Sequence, residues 1–274
     1  MPLTNIIKNS TSNTSNQKIS QSGHSDRVKI LSIWIDNVSL KDALITIDNF
    51  LTDYNSITSI TKNTPHQIIT ANSLMTLEVC KNEELKNVFD SAALVIPESA
   101  GIYFSAKFLK TPIKEKIPGI NFMISILEYA QKKNHSVFFL GSKEEIIGKA
   151  TDEIKKKFPE LKIAGFHNGY FEKNDDTVIS KIKSSNAEIL FAGLNTPFQE
   201  IWLNKNLKKL GVKIAMGVGG SFDVISGNLR RAPKWMIYSN IEWLFRVYQQ
   251  PYRIIRIIKL FFFALKILKE RICF

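Results

Sequence analysis

A carboxylate stands at the end of a predicted strand, in a position suited to acid–base chemistry. The apolar run at residues 93–96 ends at Pro97, and Glu98 follows directly, ahead of a predicted helix. A carboxylate in this place can act as a general base toward a substrate hydroxyl. The commoner role of such a glutamate is to cap the helix, where the helix dipole stabilises its charge. Both interpretations of Glu98 stay open on this evidence.

Uncharged polar side chains occur at two other predicted strand ends. Thr70 and Asn72 close the strand at residues 67–70, and Gln199 begins a helix after the loop at 193–197. Hydroxyl and amide groups can orient the hydroxyls of a polar substrate, but they also serve as caps and turn formers. Each of these signals is weak when taken alone.

A cluster of glycines follows the strand at residues 213–216. Gly217, Gly219 and Gly220 permit backbone conformations that bring N–H groups close to a ligand, and Ser221 and Asp223 add oxygen groups. A tight strand-to-helix turn is an equally good interpretation. The segment is neither a Walker A loop nor the dinucleotide-binding fingerprint, because the required Gly-Lys-Ser/Thr and glycine spacings are missing.

The spacing of metal-ligating residues disfavours a metal-dependent mechanism. His135 and His167 are the only histidines in the predicted core region, no pair has metal-ligand spacing, and no Asp-x-Asp ends a strand. Cys80 and Cys273 lie far apart, which fits a reducing compartment. Ser221 lacks the nucleophile-elbow context of a serine hydrolase. We therefore expect no metal and no cofactor.

These residues are positioned by apolar strands that alternate with helices. Such runs are typical of a parallel sheet covered on both faces, so the predicted fold class is α/β, Rossmann-like, with helices flanking the sheet. The predicted strands cover residues 28–35, 67–70, 93–96, 136–140, 161–164, 188–192 and 213–216. A helix is expected from Ser73, with the serine as its N-cap.

In an open parallel sheet, ligands bind beyond the carboxyl ends of the strands. The rule selects five loops, at residues 70–72, 97–101, 141–142, 193–199 and 217–223. Gly141 joins the candidate nucleotide-binding residues because it begins one of these loops.

The charge balance predicts an anionic partner. The chain of 274 residues carries 37 Lys and Arg against 25 Asp and Glu, a formal net charge of +12. Nucleic acid, an acidic membrane surface and phosphorylated substrates all fit such a charge. No nucleic-acid-binding module is evident, so that partner is disfavoured. Residues 1–26 are polar and predicted to be a disordered leader, and residues 27–244 form the α/β domain.

The C-terminal segment, residues 245–274, mixes apolar runs with cations. Its longest uncharged run covers residues 260–265, far short of the ~20 residues that span a bilayer. On a helix, Arg256, Lys259, Lys266 and Glu270 share one side, while isoleucines, leucines and phenylalanines fill much of the rest. The pattern predicts a basic amphipathic appendage lying in an anionic membrane interface. A core helix or a homo-oligomer interface is the alternative.

Taken together, the motifs resemble those of the WecG/TagA/CpsF family of bacterial glycosyltransferases over residues 30–256. The similarity is strongest over residues 217–233. The other matching motifs are Thr70-Ala-Asn72, Ile96-Pro-Glu-Ser-Ala-Gly101, His167-Asn-Gly-Tyr170, Pro197-Phe-Gln-Glu200 and Glu242-Trp-Leu-Phe-Arg246.

The resemblance implies metal-independent, inverting transfer from a UDP-sugar, often of the N-acetylmannosamine type, to an undecaprenyl-diphosphate-linked sugar. That reaction lies on the path to teichoic acid or other surface polysaccharide, and it implies a cytoplasmic protein on the inner face of the membrane. By residue match, Glu98 is the base and Thr70, Asn72 and Gln199 complete the catalytic set. Tyr170 and Asp223 match nucleotide-side positions. The resemblance places lipid-diphosphate binding at Lys116, Arg246, Arg253 and Arg256.

The sequence departs from the family pattern at several site positions. Glu98 replaces the usual aspartate, Lys116 a usual arginine and Asn121 a common aspartate, while Asn195 occupies a position that is often glycine. A lysine cannot form the bidentate contact that arginine forms. These departures keep a second hypothesis open, a UDP-sugar-binding or scaffold homologue with impaired catalysis.

Overall fold

The structure, a computed structural model, describes residues 26–53, 64–172 and 176–273. Of the predicted polar leader, only Asp26 lies within the described residues. The division into residues 27–244 and 245–274 stays a prediction, and one helix, Glu242–Gln249, crosses it.

Six parallel strands form the central sheet, in the order β4-β3-β8-β7-β5-β6. These strands are β3 (His66–Ala71), β4 (Leu94–Pro97), β5 (Ser136–Gly141), β6 (Lys162–His167), β7 (Ile189–Gly193) and β8 (Ile214–Gly217). The predicted α/β class is therefore confirmed. β6 continues three residues beyond the strand expected at 161–164, through Gly165, whose φ of 152° suits glycine.

Helices cover both faces of the sheet. They are α1 (Leu40–Asp53), α2 (Ser73–Val79), α3 (Glu83–Ser91), α4 (Ala100–Phe108), α5 (Gly119–Lys133), α6 (Glu144–Lys157), α7 (Asp176–Ser184), α8 (Phe198–Asn206), α9 (Ser221–Ile225), α10 (Lys234–Tyr238), α11 (Glu242–Gln249) and α12 (Ile254–Cys273). Successive strand residues enter different cores: Ile68 packs with α1 and α5, and Ile69 with α2, α3 and α4. The two-residue period of a strand explains this alternation.

The prediction of a single strand at residues 28–35 is wrong, because two strands lie there. β1 (Arg27–Ile30) and β2 (Ile33–Asp36) form an antiparallel hairpin outside the main sheet. Leu31 turns the chain with a φ of 52°, a left-handed conformation uncommon for leucine. The Leu31 N–H donates to Glu270 Oε2 of α12 at 3.2 Å. A long-range contact thus accompanies a turn that local sequence does not mark.

The C-terminal helix predicted from the sequence is present as α12, and one edge of it docks on the domain. Phe263 and Ile267 are buried against α2 and α4, in the same core as β1 and β2. Phe261 and Phe262 remain 62% and 55% exposed. Within the described part of the chain, no helix combines the length and apolar character required to cross a bilayer.

Phe263 and Phe262 offer a matched test of this docking. We expect Phe263→Ala to reduce the free energy of unfolding by about 2–4 kcal/mol, because it leaves a cavity in the core. Phe262→Ala should change it by less than about 0.5 kcal/mol, since it removes an exposed ring. Chemical denaturation monitored by circular dichroism measures both values. Equal effects would show that α12 is not docked by Phe263.

Candidate active site

The carboxyl edge of the sheet brings Glu98 next to two of the polar residues predicted with it. Glu98 follows β4, and its N–H donates to Ala71 O at the end of β3. Asn72 Nδ2 donates to Glu98 Oε2 at 3.4 Å. A Cβ added at Gly119 would lie 2.7 Å from Glu98 Oε1 and 3.3 Å from Thr70 Cγ2. The first turn of α5 therefore closes tightly over the Glu98–Thr70 pair.

Asn72, and not Ser73 as expected, is the N-cap of α2. Its Oδ1 accepts hydrogen bonds from the N–H groups of Leu74 and Met75, both at 3.1 Å. The amide oxygen is committed to the helix, so its nitrogen is oriented toward Glu98. The capping and catalytic interpretations of Asn72 are thus compatible, since one amide serves both.

Burial dominates the electrostatics of Glu98. It raises the pKa of the carboxyl above its usual range, and the Arg246 charge, the Asn72 amide and the Gly119 N–H offset only part of this effect. The negative charge of Glu242 raises the pKa further. A carboxylate with a raised pKa is a stronger base when it is ionised. The helix-capping role is not seen, because Ser99 caps α4 by accepting from Ile102 N.

Helix α11 brings a cation, Arg246, close to Glu98, and Lys116 contacts the residues just before this helix. Arg246 of α11 pairs with Glu242, its Nη2 lying 2.9 Å from Oε1, and its charge acts on Glu98. Lys116 donates to Asn240 Oδ1 just before α11. Burial lowers the pKa of Lys116, and the Glu242 charge opposes this shift. Of the four predicted diphosphate-binding cations, Arg246 therefore lies near the candidate base, and Lys116 lies near Glu242, the ion-pair partner of Arg246.

The other two predicted cations follow α11 in the chain. Arg253 ends a short 3-10 helix, Pro251–Arg253, and Arg256 lies in the first turn of α12. Their role in binding a diphosphate stays a prediction.

The structure divides the glycines of the turn after β8 into two kinds. A Cβ at Gly217 would overlap Gln199 Nε2 and lie 3.2 Å from Glu200 Oε1, so its open side faces the protein interior. A Cβ at Gly219 or Gly220 would meet no described atom within 4 Å. Gly217 also accepts from Thr70 Oγ1 through its carbonyl oxygen, at 3.5 Å. The nucleotide-binding prediction therefore has open space at Gly219 and Gly220, whereas Gly217 is a close-packing position.

Gln199 connects two loops of this edge. Its Oε1 accepts from Leu194 N after β7 and from Gly219 N after β8, both at 3.0 Å. Its Nε2 donates to Glu200 Oε1 at 2.6 Å, and the residue is 2% exposed. The amide is thus engaged at both ends with protein groups, and its predicted place in the catalytic set stays a prediction.

The remaining nucleotide-side candidates cluster around Ser142, the residue after Gly141. Ser142 Oγ donates to Asp223 Oδ2 at 3.5 Å, and Ser142 O accepts from Gly169 N at 2.8 Å. Tyr170 follows Gly169 and is 72% exposed. Ser221, by contrast, donates its hydroxyl proton to Val218 O at 2.7 Å and so stabilises the glycine turn.

An open pocket of about 550 Å³ adjoins this cluster. Asn228 connects the two, because its Nδ2 donates to Asp223 Oδ1 at 3.0 Å. Residues of α6 and of the loop after α9 line the pocket: Glu145, Ile146, Lys149, Ser226, Gly227 and Asn228. Over residues 26–53, 64–172 and 176–273, no three His, Cys, Asp or Glu side chains are grouped to hold a metal ion.

Sequence reasoning missed three residues that shape the site. Glu200 is a buried acid beside Gln199, Glu242 pairs with Arg246, and Asn240 accepts from Lys116. Glu200 and Glu242 lie inside motifs quoted for the family resemblance, so that signal contained them. Asn240 has a φ of 61°, and no local pattern marks it.

Comparison with known proteins identifies the family. The model of the WecG/TagA/CpsF glycosyl transferase family matches residues 28–273. The chain belongs to this family. It is therefore a glycosyltransferase.

Three curated relatives of the chain share the enzyme name N-acetylglucosaminyldiphosphoundecaprenol N-acetyl-beta-D-mannosaminyltransferase. The relative from Bacillus spizizenii is 32% identical over 227 residues, which cover 82% of this chain and 88% of the relative. The relative from Bacillus subtilis is 31% identical over 74% of this chain and 79% of its own length. The relative from Staphylococcus aureus strain MW2 is 27% identical over 92% of this chain and 96% of its own length.

The division of the glycines in this glycosyltransferase can be tested by two alanine substitutions. Gly217→Ala should reduce the free energy of unfolding by about 1–3 kcal/mol, because the new methyl group forces apart the buried Gln199–Glu200 pair. Gly220→Ala is the control; with its φ of −80° and open space, it should change stability by less than about 1 kcal/mol. Urea denaturation measures both. A stable Gly217→Ala variant would contradict the packing described for this turn.

Proposed function

We propose that this glycosyltransferase moves a sugar of the N-acetylmannosamine type from UDP to an undecaprenyl-diphosphate-linked acceptor sugar, in surface polysaccharide or teichoic acid synthesis. The names of the relatives support the acceptor and the sugar. The observation that carries the proposal is the placement of Glu98. This carboxyl has a raised pKa, is separated from the Gly219–Gly220 turn by one intervening strand, β3, and lies close enough to Arg246 for that charge to offset part of the rise.

The proposed chemistry is a single inverting displacement. Glu98 takes the proton from the acceptor hydroxyl as that oxygen attacks the anomeric carbon of the donor. The bond from that carbon to the UDP oxygen breaks at the same time, and UDP leaves from the opposite face, so the configuration inverts. Holding donor and acceptor in line at one sheet edge removes entropy from the barrier.

The leaving group and the acceptor are bound by different parts of the chain in this proposal. The turn at Gly219 and Gly220 receives the UDP diphosphate. Gln199 holds the Gly219 N–H, so the Gly220 N–H is the backbone donor that offsets the charge developing on the leaving oxygen. Lys116 and Arg246 bind the lipid diphosphate of the acceptor, together with Arg253 and Arg256. Because Arg246 lies close enough to Glu98 to lower its pKa, a diphosphate bound at Arg246 brings the adjacent sugar close to the base. We propose that no metal ion is required, which predicts full turnover in EDTA.

Glu98→Gln tests the base. The variant should lose about 10²–10⁴-fold in kcat, because its amide cannot accept the proton, while UDP affinity stays within about threefold. In the wild type, kcat at saturating donor and acceptor should rise with pH through the raised pKa of Glu98 and then level off, because only the ionised form is a base. Transfer of radiolabelled sugar to a synthetic lipid-diphosphate acceptor measures turnover.

Glu128→Gln, an exposed change of the same type on α5, is the control and should retain activity. Turnover near the wild-type level in Glu98→Gln would remove Glu98 from the mechanism. UDP binding by the wild type without transfer to the acceptor would favour the impaired-homologue hypothesis instead.

We further propose that the protein binds the inner face of the cytoplasmic membrane through α12. The exposed apolar side chains of this helix are Ile254, Ile255, Ile258, Phe261, Phe262, Leu265, Leu268 and Ile272. Phe104 and Phe108 of α4 are also about half exposed, and they lie one and two turns beyond Gly101, which faces Phe263 of α12. Lys259 and Lys266 add cations that anionic headgroups attract.

Vesicle binding tests the membrane surface. Phe261→Asp/Phe262→Asp should weaken binding to phosphatidylglycerol vesicles at least about tenfold, because it removes two inserting rings and adds negative charge. Ile45→Asp, at an exposed aliphatic position on α1, should bind like the wild type. Co-sedimentation at low and high salt measures binding. Unchanged binding by the double variant would contradict the proposal.

A further inference from the structure

Glu200 is a buried acid that the proposed chemistry does not use. It lies in the first turn of α8 and is 3% exposed. Its Oε1 accepts from Gln199 Nε2 at 2.6 Å. Its Oε2 is buried and accepts no hydrogen bond of normal geometry from a described residue, although the Thr196 hydroxyl is near enough to lower the pKa of the acid. A buried polar oxygen of this kind is costly and calls for a physical reason.

The contact with Gln199 decides which way the Gln199 amide points. The two N–H groups of Leu194 and Gly219 need an acceptor, so they require the oxygen end of the amide. Glu200 supplies the acceptor that the nitrogen end needs. Without that acceptor, the buried nitrogen loses its partner, and the amide no longer has a single preferred orientation.

The orientation of the Gln199 amide acts on the proposed UDP site through the glycine turn. The Gln199 oxygen connects the Gly219 N–H to the loop after β7. Gly217, in the same turn, packs directly on both Gln199 and Glu200. The turn thus rests on the Gln199–Glu200 pair on its inner side and is open at Gly219 and Gly220 on its outer side.

We propose that Glu200 is a positioning residue for the nucleotide donor: it orients the Gln199 amide, which in turn holds the Gly219–Gly220 turn in the conformation that binds the UDP diphosphate. This inference rests on the proposed function, because it takes UDP as the ligand of the turn.

The protonation of Glu200 supports this role. Burial, and then the charge of Glu98 at the end of β4, raise the pKa of Glu200 to about 7. Its other neighbours, Gln199 and Thr196 in the same segment and Gln67 of β3, carry no charge. The neutral acid still offers an oxygen to Gln199 and places no negative charge beneath the diphosphate. The ionised form does place one there, so UDP affinity should fall as pH rises through about 7.

Two variants of the full chain separate the acceptor oxygen from the acidic proton. Glu200→Gln keeps an oxygen that can accept from Gln199, so its donor KM should stay within about twofold of the wild type. Glu200→Leu has no acceptor, so its donor KM should rise about tenfold, with kcat and the acceptor KM much less affected. Glu83→Leu, an exposed first-turn glutamate on α3, is the control and should leave all three constants unchanged.

Calorimetry with UDP as the probe supplies a readout that a purely structural role would not change. Wild-type affinity should fall several-fold from pH 6 to pH 8, and UDP binding at pH 7 should be accompanied by proton uptake, since binding and protonation are linked. Titration in two buffers of different ionisation enthalpy measures this uptake. Glu200→Gln should lose the part of both effects that comes from Glu200 and keep only the part that comes from the terminal phosphate of UDP, which itself ionises at about pH 6.

The results that overturn the inference are distinct. A Glu200→Gln variant as impaired as Glu200→Leu, or a folded Glu200→Leu variant with unchanged donor KM, would refute it. Should Glu200→Leu fail to fold by circular dichroism, Glu200→Gln decides: normal donor KM with a UDP affinity less pH-dependent than that of the wild type supports the inference, and an unchanged pH dependence refutes it. A wild type that binds no UDP would instead refute the proposed function.

Discussion

The parallel pairing of six strands is the constraint on which the site depends. Helices bury both faces of the sheet, so the strands have almost no place for polar side chains except at their ends. Parallel strands bring all their carboxyl ends to one edge, where Thr70, Glu98, Gln199 and Gly217 come together although they lie far apart in the sequence. The polar groups that can act on a substrate are concentrated at this edge because the buried faces of the sheet hold mainly apolar side chains.

Two glutamates at this edge show how environment assigns different properties to one residue type. Burial raises the pKa of both carboxyls. Glu98 faces an amide nitrogen, a backbone N–H and the Arg246 charge, all of which favour its ionised form. Glu200 faces the Gln199 amide, and the nearby Glu98 charge favours its neutral form. Because the charge of one acid disfavours the charge of the other, ionised Glu98 favours the neutral form of Glu200, so a base at Glu98 is compatible with an uncharged group beneath an anion.

Most of the sheet could be predicted from the sequence because each strand is a short apolar run, and the loops at its carboxyl edge follow from strand direction alone. The contacts that decide the roles of individual residues could not be predicted. The Leu31 turn is held by Glu270, and the open side of Gly217 is filled by Gln199 and Glu200. Each contact joins residues that are distant in sequence, so no local pattern contains it. Asn72 shows a second limit. The sequence offers capping and catalysis as separate interpretations, whereas in the structure the amide oxygen caps α2 and the amide nitrogen donates to Glu98.

The C-terminal helix α12 links the carboxyl edge of the sheet to the protein surface. Phe263 and Ile267 anchor α12 in the core, and the exposed phenylalanines on the same helix leave an apolar surface beside α4. Arg246, whose charge lowers the pKa of Glu98, precedes the first residue of α12 by only eight positions. Docking of α12 therefore limits how far Arg246 can move from the base. Under the proposed function, a membrane in contact with α12 would hold a lipid-linked diphosphate at a fixed depth, with its first sugar directed toward Glu98. A soluble acceptor would lack that restraint and would have to lose the corresponding entropy on binding. The selectivity for a lipid-linked acceptor would then arise from the distance between a membrane surface and one carboxylate, with little need for contacts to the lipid chain itself.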